Sequence, residues 1–249
     1  MSTPIPLLIQ LLDAFDTAQS AVELRAHSYE LLRLRPGAAV VDVGCGSGRA
    51  VAELADLGAA AMGVDPNEQM LDVARNRWPA SDFQAGTAEA LPLPDASVSG
   101  YRADKVFHVL PDPAAALAEA ERVLVPGGRI VLMSQDWAAY LIDSTDDDTT
   151  RALVHARANK VTNPTVARAY RNLLLDSGFR DVTMEVRTPV FTDELMIPML
   201  TELVSSALDT DAVPRERAEA WLAEQTARAA ANRLMVALPL FIAAATRAD

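Results

Sequence analysis

Val40-Val41-Asp42-Val43-Gly44-Cys45-Gly46-Ser47-Gly48 runs an apolar strand into a loop with three glycines, and Arg49-Ala50-Val51-Ala52-Glu53-Leu54-Ala55 follows as a helix. Strand, glycine turn and helix in that order build a nucleotide site at the carboxyl end of the first strand of an α/β sheet. A side chain in such a loop would block a ligand, and the turn needs positive φ. A dinucleotide fingerprint reads G-x-G-x-x-G. Here the third glycine comes one residue early, with Arg49 and Ala50 next, and no Walker lysine follows, which excludes a P-loop. A second strand, Ala60-Ala61-Met62-Gly63-Val64, ends in Asp65, an acid placed to accept from both hydroxyls of a ribose.

Periodicity sets the organisation around that stretch. Residues 5–34 read as helices broken near Asp16-Thr17, and Arg35-Pro36-Gly37 ends them. Then come strand 39–44, helix 47–57, strand 60–64, helix 67–77, strands 81–85 and 97–101, helix 113–124 and strand 128–134. Such alternation predicts an α/β fold, a parallel sheet with helices on both faces. Residues 147–177 read as helical, interrupted at Asn163-Pro164. Val182 to Phe191 reads as a strand, with Pro189 marking an end or an edge. Two helices follow over 193–231, the second starting at Pro214, and Met235 to Thr246 reads as a final strand.

The glycine loop, together with Gly63-Val64-Asp65-Pro66-Asn67-Glu68-Gln69-Met70, resembles the class I methyltransferases that use S-adenosylmethionine. Ala85-Gly86-Thr87-Ala88-Glu89-Ala90-Leu91-Pro92-Leu93-Pro94-Asp95 is similar to that family's adenine loop. Pro111-Asp112-Pro113 through Arg122-Val123-Leu124-Val125-Pro126-Gly127-Gly128-Arg129 resembles its helix and glycine turn after the fourth strand. Four motifs in the expected order cover roughly residues 20 to 135. The flavour is the small-molecule branch, with ubiquinone/menaquinone-type enzymes and methyltransferases of bacterial secondary metabolism. The resemblance implies a Rossmann-like sheet closed by an antiparallel final strand pair. It implies one domain over 1–249: an N-terminal helical cap at 1–34, a cofactor-binding core at 35–135, and substrate-side helices with the last two strands at 136–249. The helices at 193–231 are then a late insertion that helps to cover the substrate.

The same resemblance assigns the site. The backbone of Gly44, Gly46 and Gly48 approaches the methionine part of the cofactor; Cys45 is counted with that loop but given no chemistry. Asp42, an acid inside a strand, anchors the loop or reaches the cofactor's ammonium group. Asp65 with Pro66 takes the ribose; the competing role for Asp65 is a helix cap, which Asn67 can fill instead. Met70 packs on adenine or ribose, or in the core. Thr87, Ala88 and Glu89 surround the adenine, although many relatives carry Asp where Thr87 stands. Arg102 faces the cofactor carboxylate or the substrate, or pairs with Asp104; Arg25 is a second candidate for the carboxylate.

Methyl transfer from a sulfonium needs alignment first and a base only for some acceptors. His108 is the candidate base, although Val109 holds the position where relatives more often carry a single histidine. Asp136, at the carboxyl end of the fifth strand, is the second catalytic candidate, with Trp137 beside it as a stacking surface. His27, Tyr29, His155, Arg168, Tyr170 and the segment Leu195 to Leu200 are read as structural before functional.

Composition sets limits. The chain has 249 residues, 22 basic and 34 acidic, for a net charge of −12. That disfavours nucleic acid and anionic membranes as partners, and no Asp/Asn-Pro-Pro-aromatic turn follows the fourth strand. One cysteine forms no internal disulfide, which fits a cytoplasmic setting; three histidines without a cluster leave no metal signature. The expected protein is a cytoplasmic monomer or homodimer. It moves a methyl group to an oxygen or activated carbon of a small, partly apolar molecule. The alternatives are a fold relative that binds S-adenosylmethionine without methyl transfer, and a nicotinamide-dependent oxidoreductase.

Overall fold

The computed structural model describes residue 9 and residues 13–249; the expectation of helix over residues 5–8 and 10–12 lies outside the described residues. Two compact units emerge. The first holds the described residues up to Ser134 together with Ala169–Glu185 and Ile242–Asp249; the second holds Gln135–Arg168 and Val186–Phe241.

In the first unit, α1 (Gln19–Leu32) leads into β1 (Ala39–Val43), α2 (Arg49–Asp56), β2 (Ala60–Asp65), α3 (Glu68–Arg77), β3 (Asp82–Ala85), β4 (Val98–Asp104), α4 (Pro113–Val123) and β5 (Leu124–Gln135). α6 (Val166–Asp176), β7 (Arg180–Arg187) and β10 (Leu240–Thr246) complete it, and the seven strands lie in the order β3-β2-β1-β4-β5-β10-β7. β1 pairs in parallel with β2 on one side and β4 on the other, setting Asp42 opposite Gly63 and opposite Arg102. Val40, Val41 and Val43 are all buried, as a central strand covered on both faces requires. Because the chain winds outward from β1 in both directions, the carboxyl ends of β1 and β4 part and open a crevice at this switch point. β10 runs antiparallel to β5: the amide of Gly127 donates to Arg247 O at 3.2 Å and that of Arg247 to Gly128 O at 2.8 Å. That is the antiparallel closing strand expected from the resemblance.

The second unit contains β6 (Leu141–Ile142), α5 (Asp147–Ala158), β8 (Val190–Phe191), α7 (Ile197–Asp209), α8 (Arg215–Ala230) and β9 (Val236–Ala237). The three strands form a small sheet, β6-β9-β8, with antiparallel pairing. Met196, Leu200, Leu203, Leu153 and Trp221 fill its core, so the Leu195 to Leu200 stripe is packing. Trp221 satisfies its indole N–H on Thr150 Oγ1 at 2.8 Å.

Two strand expectations change. Met235 to Thr246 is not one strand: it breaks at Leu238-Pro239 into β9 and β10, which belong to different sheets. Val182 to Phe191 breaks likewise around Pro189 into β7 and β8. A proline has no N–H to give a ladder, so each becomes the point where the chain leaves one sheet for the other. Asn163-Pro164 separates α5 from α6 as expected, and no described helix is long and apolar enough to cross a membrane.

Candidate functional site

The glycine loop closes over the end of β1 by backbone bonding: the amides of Gly44 and Cys45 both donate to Val64 O, at 2.7 and 3.2 Å. Gly44, Gly46 and Gly48 all have positive φ. Gly48 is irreplaceable on two counts, since at φ +83° a Cβ would also stand 2.5 Å from Phe83 Cζ and 2.9 Å from Ala74 Cβ. At Gly46 a Cβ would meet only the Met70 methyl, at 3.5 Å, so the loop is open there as a cradle is. Cys45 packs with Val51, Leu71, Ala74 and Phe83, and burial pushes its thiol well above the usual range. It is a core residue, as is Met70, which is buried and does not line the cavity described below.

Asp65 ties the loop to the next element. Its Oδ2 accepts from the Gly46 amide at 2.9 Å and its Oδ1 from the Asn67 amide at 2.8 Å. Asn67 caps α3, accepting from the amides of Gln69 and Met70. The cap is therefore filled by Asn67, and the remaining lone pairs of Asp65 stay available at the cavity edge.

A cavity of about 660 Å³ lies at the carboxyl ends of β1, β2 and β4. Gly44, Asp65, Pro66, Thr87, Ala88 and Glu89, all singled out from the sequence, line it. The loop bearing the last three is held from behind: Glu119 on α4 accepts from the Leu91 amide at 2.7 Å, and Arg122 donates to Glu119, Asp95 and Leu93 O. The opposite wall comes from the turn after β4, where Lys105, Val106, Val109 and Leu110 line the cavity. Sequence reasoning missed these four. Their signal was position, since they follow a parallel strand next to the switch point.

Beneath the cavity lies a buried ion cluster. Arg102, 2% exposed, donates from Nη1 to Asp42 Oδ1 at 2.7 Å, from Nε to Ser28 Oγ at 2.9 Å and from Nη2 to Asp104 Oδ2 at 3.0 Å. Its guanidinium also stands 5.5 Å from the Tyr29 ring centroid. Burial raises Asp42 above the ordinary carboxylate range in spite of Arg102. Asp104 is desolvated too, but Lys105 and Arg102 together bring it below that range. Of the roles expected for Arg102 the pairing with Asp104 is the one seen, and Arg102 and Asp42 are not among the residues that line the cavity. The physical reason is the β1–β4 register, which sets the two charges side by side in the core. Arg25 is likewise engaged: it forks onto Glu53, at 3.1 and 3.0 Å, and Glu53 also accepts from Tyr29 Oη at 2.8 Å.

His108 is half-buried in the turn after β4 but is not among the lining residues; its neighbour Val109, 56% exposed, is. Asp136 belongs to the second unit. It is 1% exposed, accepts from the Ala138 amide at 2.9 Å and pairs with Arg168. Trp137 lies beside it under the Arg157 guanidinium, 4.8 Å from the ring centroid. No group of metal-ligating side chains occurs among the described residues.

Residues 41–132 match the methyltransferase domain family. A 37.1 kDa protein in transposon TN4556 of Streptomyces fradiae is 36% identical over 196 residues, 76% of this chain and 57% of that protein. O-methyltransferase cnsE of Penicillium expansum is 36% identical over 166 residues, 61% of this chain and 57% of that protein. The chain thus spans little more than half the length of these relatives. The YcgJ protein of Bacillus subtilis has a similar fold, with TM-score 0.62, 18% identity and coverage of 90% of this chain and 99% of that one.

Proposed function

We propose, for a chain that carries a class I S-adenosylmethionine-dependent methyltransferase domain over residues 41–132, that it methylates an oxygen or activated carbon of a small, partly apolar molecule and releases S-adenosylhomocysteine. The observation that carries this reading is the single cavity in which Gly44, Asp65, Pro66 and the Thr87–Glu89 loop meet at the switch point of the sheet. The donor set fits the cofactor: a carboxylate with spare lone pairs for ribose hydroxyls, an open glycine cradle, and apolar walls for a planar base. The name of the Penicillium relative supports an oxygen acceptor.

Bound S-adenosylmethionine supplies a methyl group on a sulfonium, already activated for in-line displacement. What the chain must add is alignment. Asp65 fixes the ribose while the amides of Gly46 and Asn67 hold the carboxylate itself in place. Val106, Val109 and Leu110 offer apolar surface against the base or the acceptor. Arg102 and Asp42 keep the ends of β1 and β4 in register, so that both walls hold their spacing.

Calorimetric titration with S-adenosylhomocysteine tests the reading. The wild type binds at micromolar concentration, and Asp65→Ala weakens binding by about tenfold or more, the value of a lost charge-assisted hydrogen bond. Absence of saturable binding by the wild type overturns it.

A further inference from the structure

Lys105 is the single cationic residue among the described residues that line the cavity, and the turn after β4 holds it in an uncommon conformation. Its φ is +58°, in the left-handed region where a side-chain-bearing residue is strained, and its amide is pinned there by Met133 O at 2.8 Å. Strain of this kind is retained where the surrounding structure imposes it, commonly at a functional site. Lys105 also ends a row of alternating charges that rises from the core. Asp42 meets Arg102 at 2.7 Å, Arg102 meets Asp104 at 3.0 Å, and Asp104 meets the Lys105 Nζ at 3.5 Å. The first three are buried or nearly so, whereas the Lys105 side chain is half-exposed at the cavity wall.

The strand order places this cation. β2 and β3 flank one side of β1 and bring Asp65 and the Gly86–Glu89 loop to one end of the cavity. β4 flanks the other side and brings Lys105, with Val106, Val109 and Leu110, to the opposite end. The end that holds Asp65 is therefore acidic; the far end is mostly apolar, and its charged lining residues are Lys105 and Asp112, whose carboxylate is engaged by the Ala114 and Ala115 amides at the start of α4.

Building on the methyltransferase reading, we propose that Lys105 holds the acceptor, and that the acceptor carries an acidic hydroxyl, a phenol or an enol, bordered by apolar surface. A hydroxyl oxygen attacks as its anion. The new O–CH3 bond forms as the S–CH3 bond breaks, the bonding pair stays on sulfur, and the hydroxyl proton has left to solvent beforehand. An ammonium beside that oxygen favours the anion and so raises the fraction of acceptor ready to react. Its half-exposed position leaves water in reach to carry the proton away. Lys105 is a substrate-contacting residue in this scheme and undergoes no chemistry of its own.

The test uses the full chain loaded with S-adenosylhomocysteine and 4-nitrophenol as probe, at a pH near the probe's own pKa, with phenolate read by its visible absorbance. Lys105→Gly removes the charge and suits the left-handed backbone, but it also removes the Asp104 contact, so its fold is checked by urea unfolding beside the wild type. Lys105→Arg keeps the charge. The wild type raises the bound phenolate-to-phenol ratio roughly tenfold, Lys105→Arg keeps part of that gain, and Lys105→Gly loses it while still binding S-adenosylhomocysteine. Equal ratios in wild type and Lys105→Gly, or no saturable change with the wild type, overturn the role of Lys105. So does loss of S-adenosylhomocysteine binding in Lys105→Gly, which would assign the cation to the cofactor. Failure of the wild type to bind S-adenosylhomocysteine is read separately by calorimetry; it removes the methyltransferase reading and this proposal together.

Discussion

Replacing Arg102 with methionine removes the central charge of the buried cluster at nearly constant volume. Three donor contacts are lost, to Asp42, Ser28 and Asp104. Asp104 keeps Lys105 at 3.5 Å, so the burden falls on Asp42, 3% exposed inside β1. Breaking one partner out of a buried pair costs about 3–5 kcal/mol. Asp42 already lies above the usual carboxylate range because of burial, and in the variant it takes up a proton instead of staying charged. That limits the loss to about 3 kcal/mol at neutral pH, or roughly 6–12 °C in melting temperature for a chain of this length. The pH dependence carries a definite sign. In the variant the folded pKa of Asp42 rises further above its unfolded value of about 3.9. Stability is then fully present only below the unfolded pKa and falls as pH rises, by up to about 1.4 kcal/mol per pH unit while Asp42 is protonated only in the fold. The gap between wild type and variant therefore narrows from pH 7 toward pH 4. Urea unfolding followed by tryptophan fluorescence measures it at several pH values. Asp42→Asn added to Arg102→Met recovers most of the loss, because no buried charge is left unpaired. A loss under about 1 kcal/mol at pH 7, or a gap that does not change with pH, refutes the reasoning.

The second and third glycines of the loop separate stability from binding. Gly48→Ala drives a Cβ to 2.5 Å from Phe83 at φ +83° and costs about 2–4 kcal/mol, read by urea unfolding. Gly46→Ala meets only Met70 at 3.5 Å and costs about 1 kcal/mol, yet weakens S-adenosylhomocysteine binding by about tenfold or more, because its Cβ enters the cradle. Equal stability losses in the two variants would contradict the loop geometry. On α5, Arg217 and the capping bonds from Thr149 hold the Asp146 carboxyl at about 2. A lowered acid contributes stability above its unfolded value of about 3.9 that fades as pH falls through about 2. Asp146→Asn therefore flattens the acid limb of the unfolding profile between those values, and an unchanged profile would exclude the pairing.

The short-range part of this protein was legible in its sequence. Valine-rich strands alternating with amphipathic helices announced a parallel sheet, and the early third glycine together with Asp65 announced the kind of site at its switch point. Asn67 and the loop at Thr87–Glu89 were visible for the same reason: each is specified by neighbours a few residues away, through caps, turns and strand ends. The tertiary structure decided what depends on residues far apart in the chain. Only the β1–β4 register sets Arg102 against Asp42 and buries the pair in the core. Only the path of the turn after β4 selects Lys105 and Val109 for the cavity wall and leaves His108 off it, since one residue's rotation about a turn reverses the side presented. Pro189 was readable as a strand end or edge, whereas Pro239 lies inside what reads as one strand; neither was readable as the point where the chain passes between two sheets. Local periodicity records which residues are apolar and where the backbone must turn; which face meets which is settled by pairing register and packing, and those are properties of the assembled chain.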